Sequence, residues 1–131
     1  MECMFRDFTF IDDIVDGVLL SLYSKPEPHT DWGPEKPILS CSYAPFRIYN
    51  IGRGDCVNLL RFIEILAAAL GVEPKINFLP MQAGDVYKTQ ADVSQLTQDL
   101  GYSPSVSVVD GVAKFVVWFK QYYATRELLD S

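Results

Sequence analysis

The sequence lacks the glycine-rich loops that hold nucleotide phosphates. Neither G-x-G-x-x-G nor G-x-x-x-x-G-K-[ST] occurs in its 131 residues, and such loops cradle phosphates with backbone N–H groups. None of the seven tyrosines has a lysine four residues later, where a cation would lower the tyrosine pKa and make it a usable base. We therefore expect neither a dinucleotide loop nor catalytic residues of this kind in the chain.

Histidine and cysteine are also scarce. His29 is the single histidine, and Cys3, Cys41 and Cys56 form no C-x-x-C pair. A structural zinc site needs four closely spaced ligands, and a serine or cysteine nucleophile needs a histidine partner. The sequence therefore predicts no metal site and no hydrolytic triad. Scattered thiols of this kind are typical of a reducing cytosol.

Positive charge and long apolar runs are missing as well. The net charge is −6 and the pI is about 4.6, which argues against nucleic acid and anionic membrane surfaces as partners. No apolar run approaches the roughly 20 residues of a membrane span, and the first residues do not resemble a signal peptide. We expect a cytoplasmic protein, in which one or two arginines could still bind a diphosphate.

Helical periodicity begins after the first ten residues. Asp12 and Asp13 are candidate N-caps for a first helix, which should end just before Pro26 because a residue preceding proline disfavours the helical conformation. Asp55 is the candidate N-cap of a second, strongly apolar helix, and Gly71 offers a left-handed stop for it.

Two further helices are predicted near the end of the chain. Asp92 and Gln95 have the spacing of a capping box and open a short helix that should stop at Gly101. Ser107 and Asp110 have the same spacing and open the last helix.

Strand signals are weaker. Residues 8–11, 46–52 and 75–79 are rich in strand formers. Residues 25–45 are a Pro-rich stretch with Trp32 as its large apolar residue; loops of this length are usually functional, although it could mark a domain boundary. The two stronger strands each lead directly into a helix, as in parallel α/β folds.

Two or three short strands make a poor sheet by themselves, because parallel strands normally lie inside a larger, covered sheet. The predicted fold class is therefore α/β and helix-rich: the last strands and helices of a Rossmann-type parallel sheet, with a small substrate-binding lobe. We expect residues 1–131 to form one domain.

Three polar positions could bind a ligand. Arg6 precedes the first predicted strand and could direct its guanidinium at a phosphate; the alternative is a charge that only flanks the strand. Asp85 follows Gly84 in an irregular segment and could accept hydroxyl hydrogen bonds from a ribose, or could simply complete a turn. Asn50 ends a predicted strand, where α/β folds place ligands, or it shapes the turn.

Several motifs in order resemble one family. R-D-F-T-F-I-D-D-I-V at residues 6–15, A-P-F-R-I-Y-N-I-G at 44–52 and L-P-M-Q-A-G-D-V at 79–86 look like the C-terminal third of UDP-glucuronate 4-epimerases. Residues 101–104 and the helix of 111–123 continue the resemblance. These enzymes belong to the extended short-chain dehydrogenase/reductase superfamily.

The resemblance implies a complete enzyme in which NAD takes a hydride from C4 of the sugar and returns it to the other face. The family's NAD-binding region, its Tyr-x-x-x-Lys pair and its Ser/Thr all lie N-terminal to the part that this chain resembles. It thus implies a C-terminal substrate-binding domain that has no catalytic, cofactor-binding or metal residues of its own and is inactive alone.

Site residues follow from the resemblance one by one. Arg6 matches an arginine on the diphosphate, and Asp85 matches an acid near the uridine ribose. Gln82 stands where UDP-galactose epimerases carry an arginine, so a contact there would be a neutral hydrogen bond. Asn50 is a fourth substrate-binding candidate. The implied partner is a UDP-sugar.

Two alternatives stay open. The chain could be a non-catalytic binding module that forms a homodimer through an exposed sheet edge. It could instead be the same domain of a nucleotide-sugar dehydratase or decarboxylase.

Overall fold

The computed structural model describes residues 4–129, with side chains to residue 124, as a helix-rich α/β arrangement. Its elements, in chain order, are β1 (Phe5–Arg6), α1 (Ile11–Tyr23), β2 (Val57–Asn58), α2 (Leu59–Leu70), α3 (Ser94–Leu100) and α4 (Val108–Leu129). The predicted α/β, helix-rich class is confirmed.

The sheet is smaller than predicted, and its two strands are antiparallel. β1 pairs with β2, with Phe5 opposite Asn58. On its other side β1 meets an irregular segment: the Phe5 N–H donates to the Tyr87 carbonyl at 2.8 Å, and the Thr89 N–H donates to the Phe5 carbonyl at 3.1 Å. A single parallel bridge joins Phe5 to Lys88. β1 therefore lies between β2 and residues 87–89.

The prediction of strands at residues 8–11, 46–52 and 75–79 was wrong. Within residues 4–129 these stretches are irregular or, from Ile11, already helical, apart from an isolated bridge between Arg47 and Cys41. Strand-forming side chains do not make a strand without a neighbour for the backbone groups. In the described part of the chain, only β1 and β2 have such a ladder.

The sequence predicted the helix ends better than it predicted the strands. α1 ends at Tyr23, as Pro26 predicted. Gly71 and Gly101 take left-handed conformations, with φ of 75° and 71°, at the ends of α2 and α3. The Ser107 hydroxyl accepts a hydrogen bond from the Asp110 N–H at 3.1 Å and opens α4. These predictions are confirmed.

Other caps were misassigned. α1 begins at Ile11, so Asp12 lies in its first turn and does not precede it. Asn58, and not Asp55, caps α2, because its Oδ1 accepts the Leu60 N–H at 2.9 Å. At α3, the Asp92 carboxylate accepts from Ser94. Gln95 does not complete a capping box there: its side chain donates to Asp99.

The described core is small and includes residues of α2, α3 and α4, with Ala67 contributed by α2. Leu96 and Tyr102 are 0% and 1% exposed, and Val112 and Val116 are also buried. The Tyr102 hydroxyl donates to the Gly52 carbonyl at 2.8 Å. This bond ties the connector after α3 to the turn that precedes β2.

The Pro-rich stretch at residues 25–45 is held by its own contacts. The Trp32 ring packs against Tyr43 with centroids 5.4 Å apart, and its indole N–H donates to the Ile38 carbonyl at 3.2 Å. The His29 N–H donates to the Ser42 carbonyl at 2.9 Å. The loop thus has an ordered path without regular secondary structure.

No helix in the described part of the chain is long and apolar enough to cross a membrane. The same residues contain no cluster of three or more histidine, cysteine or acidic side chains with metal-site geometry.

Burial gives Tyr102 a pH-dependent role in stability. Burial, and then the charges of Asp13, Asp7 and Asp16, raise the pKa of Tyr102. An unfolded tyrosine ionises near pH 10, so the folded chain keeps this proton to higher pH. The stabilisation is therefore complete below about pH 10 and is lost as the pH rises above it.

We predict that Tyr102→Phe lowers the free energy of unfolding by about 1 kcal/mol at pH 8, because the bond to Gly52 is lost. Between pH 9 and 11 its stability should fall less steeply than that of the original chain, as measured by urea unfolding. Tyr23→Phe is the control, since Tyr23 is 84% exposed. Equal slopes for the original chain and Tyr102→Phe would contradict the prediction.

Candidate functional site

Arg6 lies where three chain segments meet. It is the second residue of β1 and is half-buried. Its Nη1 donates to the Phe5 carbonyl at 2.8 Å and more weakly to the Tyr87 carbonyl at 3.4 Å. Both contacts use the same terminal nitrogen, so the described hydrogen bonds leave the Nε and Nη2 donors of the guanidinium available to an anion.

Gln82 and Asp85 lie in an exposed turn. The Asp85 N–H donates to the Gln82 carbonyl at 3.1 Å, and Gly84 has the positive φ of 96° that this path requires. The backbone closes the turn, so the Asp85 carboxylate is not the group that closes it. Both side chains are exposed, as a ligand contact would require.

The segment that follows the turn bonds to the Arg6 strand. Asp85 is two residues before Tyr87, whose carbonyl accepts from both Phe5 and Arg6. The structure therefore places residues 87–89, which follow the Gly84–Asp85 turn in the chain, beside the Arg6 strand.

Asn50 has a different neighbour. Its Nδ2 donates to the Asp92 carbonyl at 3.3 Å. Just before it, the Tyr49 hydroxyl donates to Asp99 at 3.0 Å, and Arg47 forms an ion pair with the same carboxylate at 2.9 Å. Asn50 therefore lies on the α3 side, and its described contact is to the backbone there and not to Arg6.

Asp7 was missed by the sequence reasoning, although it follows Arg6 directly. Its carboxylate accepts three backbone N–H groups: from Arg53 at 3.1 Å, from Gly54 at 3.0 Å and from Ala91 at 3.0 Å. These donors belong to two segments far apart in sequence. No local signal marked this role, because the partners of the Asp7 carboxylate lie 46 to 84 residues away in the sequence.

Asp13 was predicted to cap α1 and instead caps another segment. It is 2% exposed, and its two oxygens accept the Ser105 N–H at 2.9 Å and the Val106 N–H at 3.1 Å. The Val106 carbonyl in turn accepts from the Arg53 side chain at 2.5 Å. Asp13 therefore joins α1 to the connector before α4.

The start of α1 packs against α4 through Phe10 and Asp12. Residues 7–10 between β1 and α1 contain no glycine, and the Phe10 ring lies about 3.0 Å from where a Cβ on Gly111 would be. Asp12 in the first turn pairs with Lys114 at 3.2 Å. The segment between β1 and α1 thus has no glycine for the tight turn that a dinucleotide-binding strand-to-helix connection uses.

No protein-family model matches the chain, but individual relatives cover nearly all of it. A probable UDP-glucuronate 4-epimerase of Rhizobium meliloti (strain 1021) is 43% identical over 121 residues, which are 92% of this chain and 36% of the relative. UDP-glucuronate 4-epimerase 1 of Arabidopsis thaliana is 39% identical over 119 residues, 90% of this chain and 27% of the relative.

A solved structure shows the same arrangement. The UDP-glucuronic acid 4-epimerase of Bacillus cereus, in complex with UDP-glucuronic acid and NAD, superposes with a TM-score of 0.70 at 30% identity. The match covers 93% of this chain and 34% of that protein.

This chain belongs to the UDP-glucuronate 4-epimerase family. That family is part of the NAD-dependent extended short-chain dehydrogenases/reductases, as the resemblance implied, and the recognition is confirmed. The chain spans about a third of the length of the relatives it matches.

Proposed function

We propose that this chain is the UDP-sugar-binding, C-terminal part of an NAD-dependent nucleotide-sugar epimerase that interconverts UDP-glucuronate and UDP-galacturonate at C4. The observation that carries the proposal is the pairing of the Arg6 strand with the segment that follows Gly84–Asp85. In this proposal the Arg6 guanidinium and the Asp85 carboxylate contact the same nucleoside diphosphate, one at the phosphates and the other at the ribose. The relatives named above are 4-epimerases, which favours epimerisation over dehydration or decarboxylation.

Arg6 is the group we assign to the diphosphate. A guanidinium forms charge-assisted hydrogen bonds with phosphate oxygens and can do so through two nitrogens at once. The net charge of the chain is −6, so attraction for a phosphate has to come from an individual cationic side chain at the site. Arg6 is half-buried and held by its carbonyl contacts, so less side-chain entropy is lost on binding.

Asp85, Gln82 and Asn50 have lesser roles in this proposal. Asp85 accepts hydrogen bonds from the ribose hydroxyls. Gln82 offers a neutral hydrogen bond near the phosphates, and Asn50 keeps the turn after residue 49 against Asp92. NAD belongs to the whole enzyme: the Bacillus cereus relative is an NAD complex, and this chain lacks a loop that would hold the pyrophosphate.

We predict that Arg6→Ala weakens UDP binding at least roughly tenfold, since a hydrogen bond to a charged group is worth about 1.5–3 kcal/mol. Isothermal titration calorimetry of the chain with UDP measures this. Arg61→Ala is the matched control, because Arg61 is an exposed arginine paired with Glu64 on α2. Equal affinities for the two variants would contradict the assignment of Arg6.

An exposed apolar stripe on α1 favours contact between this chain and another protein surface. On α1, Ile11, Val18 and Leu22 are 61%, 50% and 72% exposed, and Val15 and Leu19 lie between them at 45% and 41%. Their spacing puts them on one side of the helix. We call these five residues the α1 stripe. Contiguous apolar surface of this kind usually marks an interface.

We predict that the purified chain does not epimerise UDP-glucuronate when NAD is added. Neither the Tyr-x-x-x-Lys pair nor a dinucleotide loop is present to carry the hydride transfer. Separation of the nucleotide sugars by chromatography after long incubation measures the outcome, with the UDP-glucuronic acid 4-epimerase of Bacillus cereus as the active control. Formation of UDP-galacturonate by the chain alone would overturn the inactivity claim.

The α1 stripe also favours a second candidate function, a homodimerising module. The sheet edge first considered is poor for this purpose, because each strand has only two residues. An apolar helix face can instead bury itself against a second copy. The free thiols of Cys41 and Cys56 support a cytoplasmic location for either function.

We predict that light scattering gives a mass above the monomer that rises with concentration, and that the double change Val18→Lys/Leu22→Lys restores a monomer. Leu39→Lys is the control, because Leu39 is 87% exposed but lies outside the α1 stripe. A strict monomer from micromolar to millimolar concentration would exclude the dimer.

A further inference from the structure

Asp7 joins the three segments from which the proposed nucleotide site is built. Its Oδ1 accepts the Arg53 N–H, and its Oδ2 accepts the Gly54 and Ala91 N–H groups. Arg53 and Gly54 follow Asn50 in the same turn, and Ala91 ends the segment that begins at Gly84–Asp85. Asp7 itself follows Arg6 directly.

We propose that Asp7 is a positioning residue for nucleotide binding: its carboxylate holds the Arg6 strand, the turn after Asn50 and the segment after Asp85 in one fixed arrangement. This inference rests on the proposed UDP-sugar site and adds to it a residue that does not touch the ligand. The ligand would meet Arg6 and Asp85, and Asp7 would set the distance between them.

The contact requires a carboxylate. Both oxygens are acceptors here, one for Arg53 and the other for Gly54 and Ala91 together. An asparagine would offer one oxygen and turn an NH₂ group towards backbone N–H donors, which leaves at least one of them unpaired. A buried unpaired donor costs about 1–3 kcal/mol.

The packing around Asp7 shows that the arrangement is tight. A Cβ added to Gly52 would lie 2.5 Å from the Ala91 Cβ and 3.1 Å from the Asp7 Oδ2. Only glycine fits between these two segments without moving one of them. A methyl group at this position would therefore push the Ala91 segment and the Asp7 carboxylate apart without removing the carboxylate itself.

Asp13 provides the matched comparison. It is also an aspartate that accepts backbone N–H groups across the fold, from Ser105 and Val106, but it joins α1 to the connector before α4. A carboxylate with only a structural role would behave like Asp13. The two substitutions Asp7→Asn and Asp13→Asn therefore separate general stabilisation from positioning of the site.

The experiment measures UDP affinity and amide hydrogen exchange on the full chain. In Asp7→Asn we expect at least roughly tenfold weaker UDP binding by calorimetry and faster exchange of the amides in residues 52–54 and 84–91, with α2 and α4 unchanged. Asp13→Asn should bind UDP within about twofold of the original chain, at a temperature where both variants are folded. Gly52→Ala should reproduce the Asp7→Asn result, and it replaces Asp7→Asn if that variant does not fold.

The outcomes separate the inference from the proposed function. Unchanged UDP affinity in Asp7→Asn or in a folded Gly52→Ala would overturn the positioning role. If the original chain fails to bind UDP at all, the proposed function fails. In that case exchange still decides whether Asp7 holds the segments: unchanged exchange at residues 52–54 and 84–91 refutes the inference, and faster exchange confined to them supports it.

Discussion

The described fold depends on aspartate carboxylates that accept backbone N–H groups from distant segments. With two strands of two residues each, the sheet supplies few long-range hydrogen bonds, and irregular backbone must still find acceptors for its donors. Asp7 supplies acceptors for three such donors and Asp13 for two. Each bond is charge-assisted and therefore stronger than a bond between neutral groups. These two side chains connect the loops that a larger sheet would otherwise order.

The same constraint explains why the sequence predicted helices better than strands and site contacts. Helix ends depend on local chemistry: Gly71, Gly101 and the Ser107 cap act within a few residues, so their signals could be read along the chain. A strand depends on a partner, and residues 46–52 look like a strand while their described contacts are to turns and side chains. Asp7 is harder still, because its donors lie 46 to 84 residues away. No local pattern marks such a contact.

Among the site candidates, the resemblance supplied what residue patterns could not. Residue chemistry alone left Arg6 and Asp85 each with an ordinary alternative, a flanking charge or a turn. The structure shows that the Asp85 turn is closed by backbone and that the strand of Arg6 bonds to the segment beyond it. The two segments are joined by hydrogen bonds from Phe5 and Arg6 to the Tyr87 carbonyl, which lies far from both in the sequence. For Asn50 the structure adds a contact that the sequence did not predict. The residue was expected at the end of a strand, and its side chain donates to the Asp92 carbonyl.

The exposed apolar surface connects the composition with the family. The chain is 49% hydrophobic, yet among the residues whose side chains are described only Cys41, Ala67, Leu96, Tyr102, Val112 and Val116 are buried hydrophobic residues. Hydrophobic residues that a self-sufficient domain would bury lie instead on the α1 stripe and along α4, where Trp118 is 53% exposed. Contiguous exposed apolar surface of this kind usually marks an interface. In the proposed function, Arg6 and the α1 stripe serve different contacts, Arg6 with the nucleotide and the α1 stripe with protein.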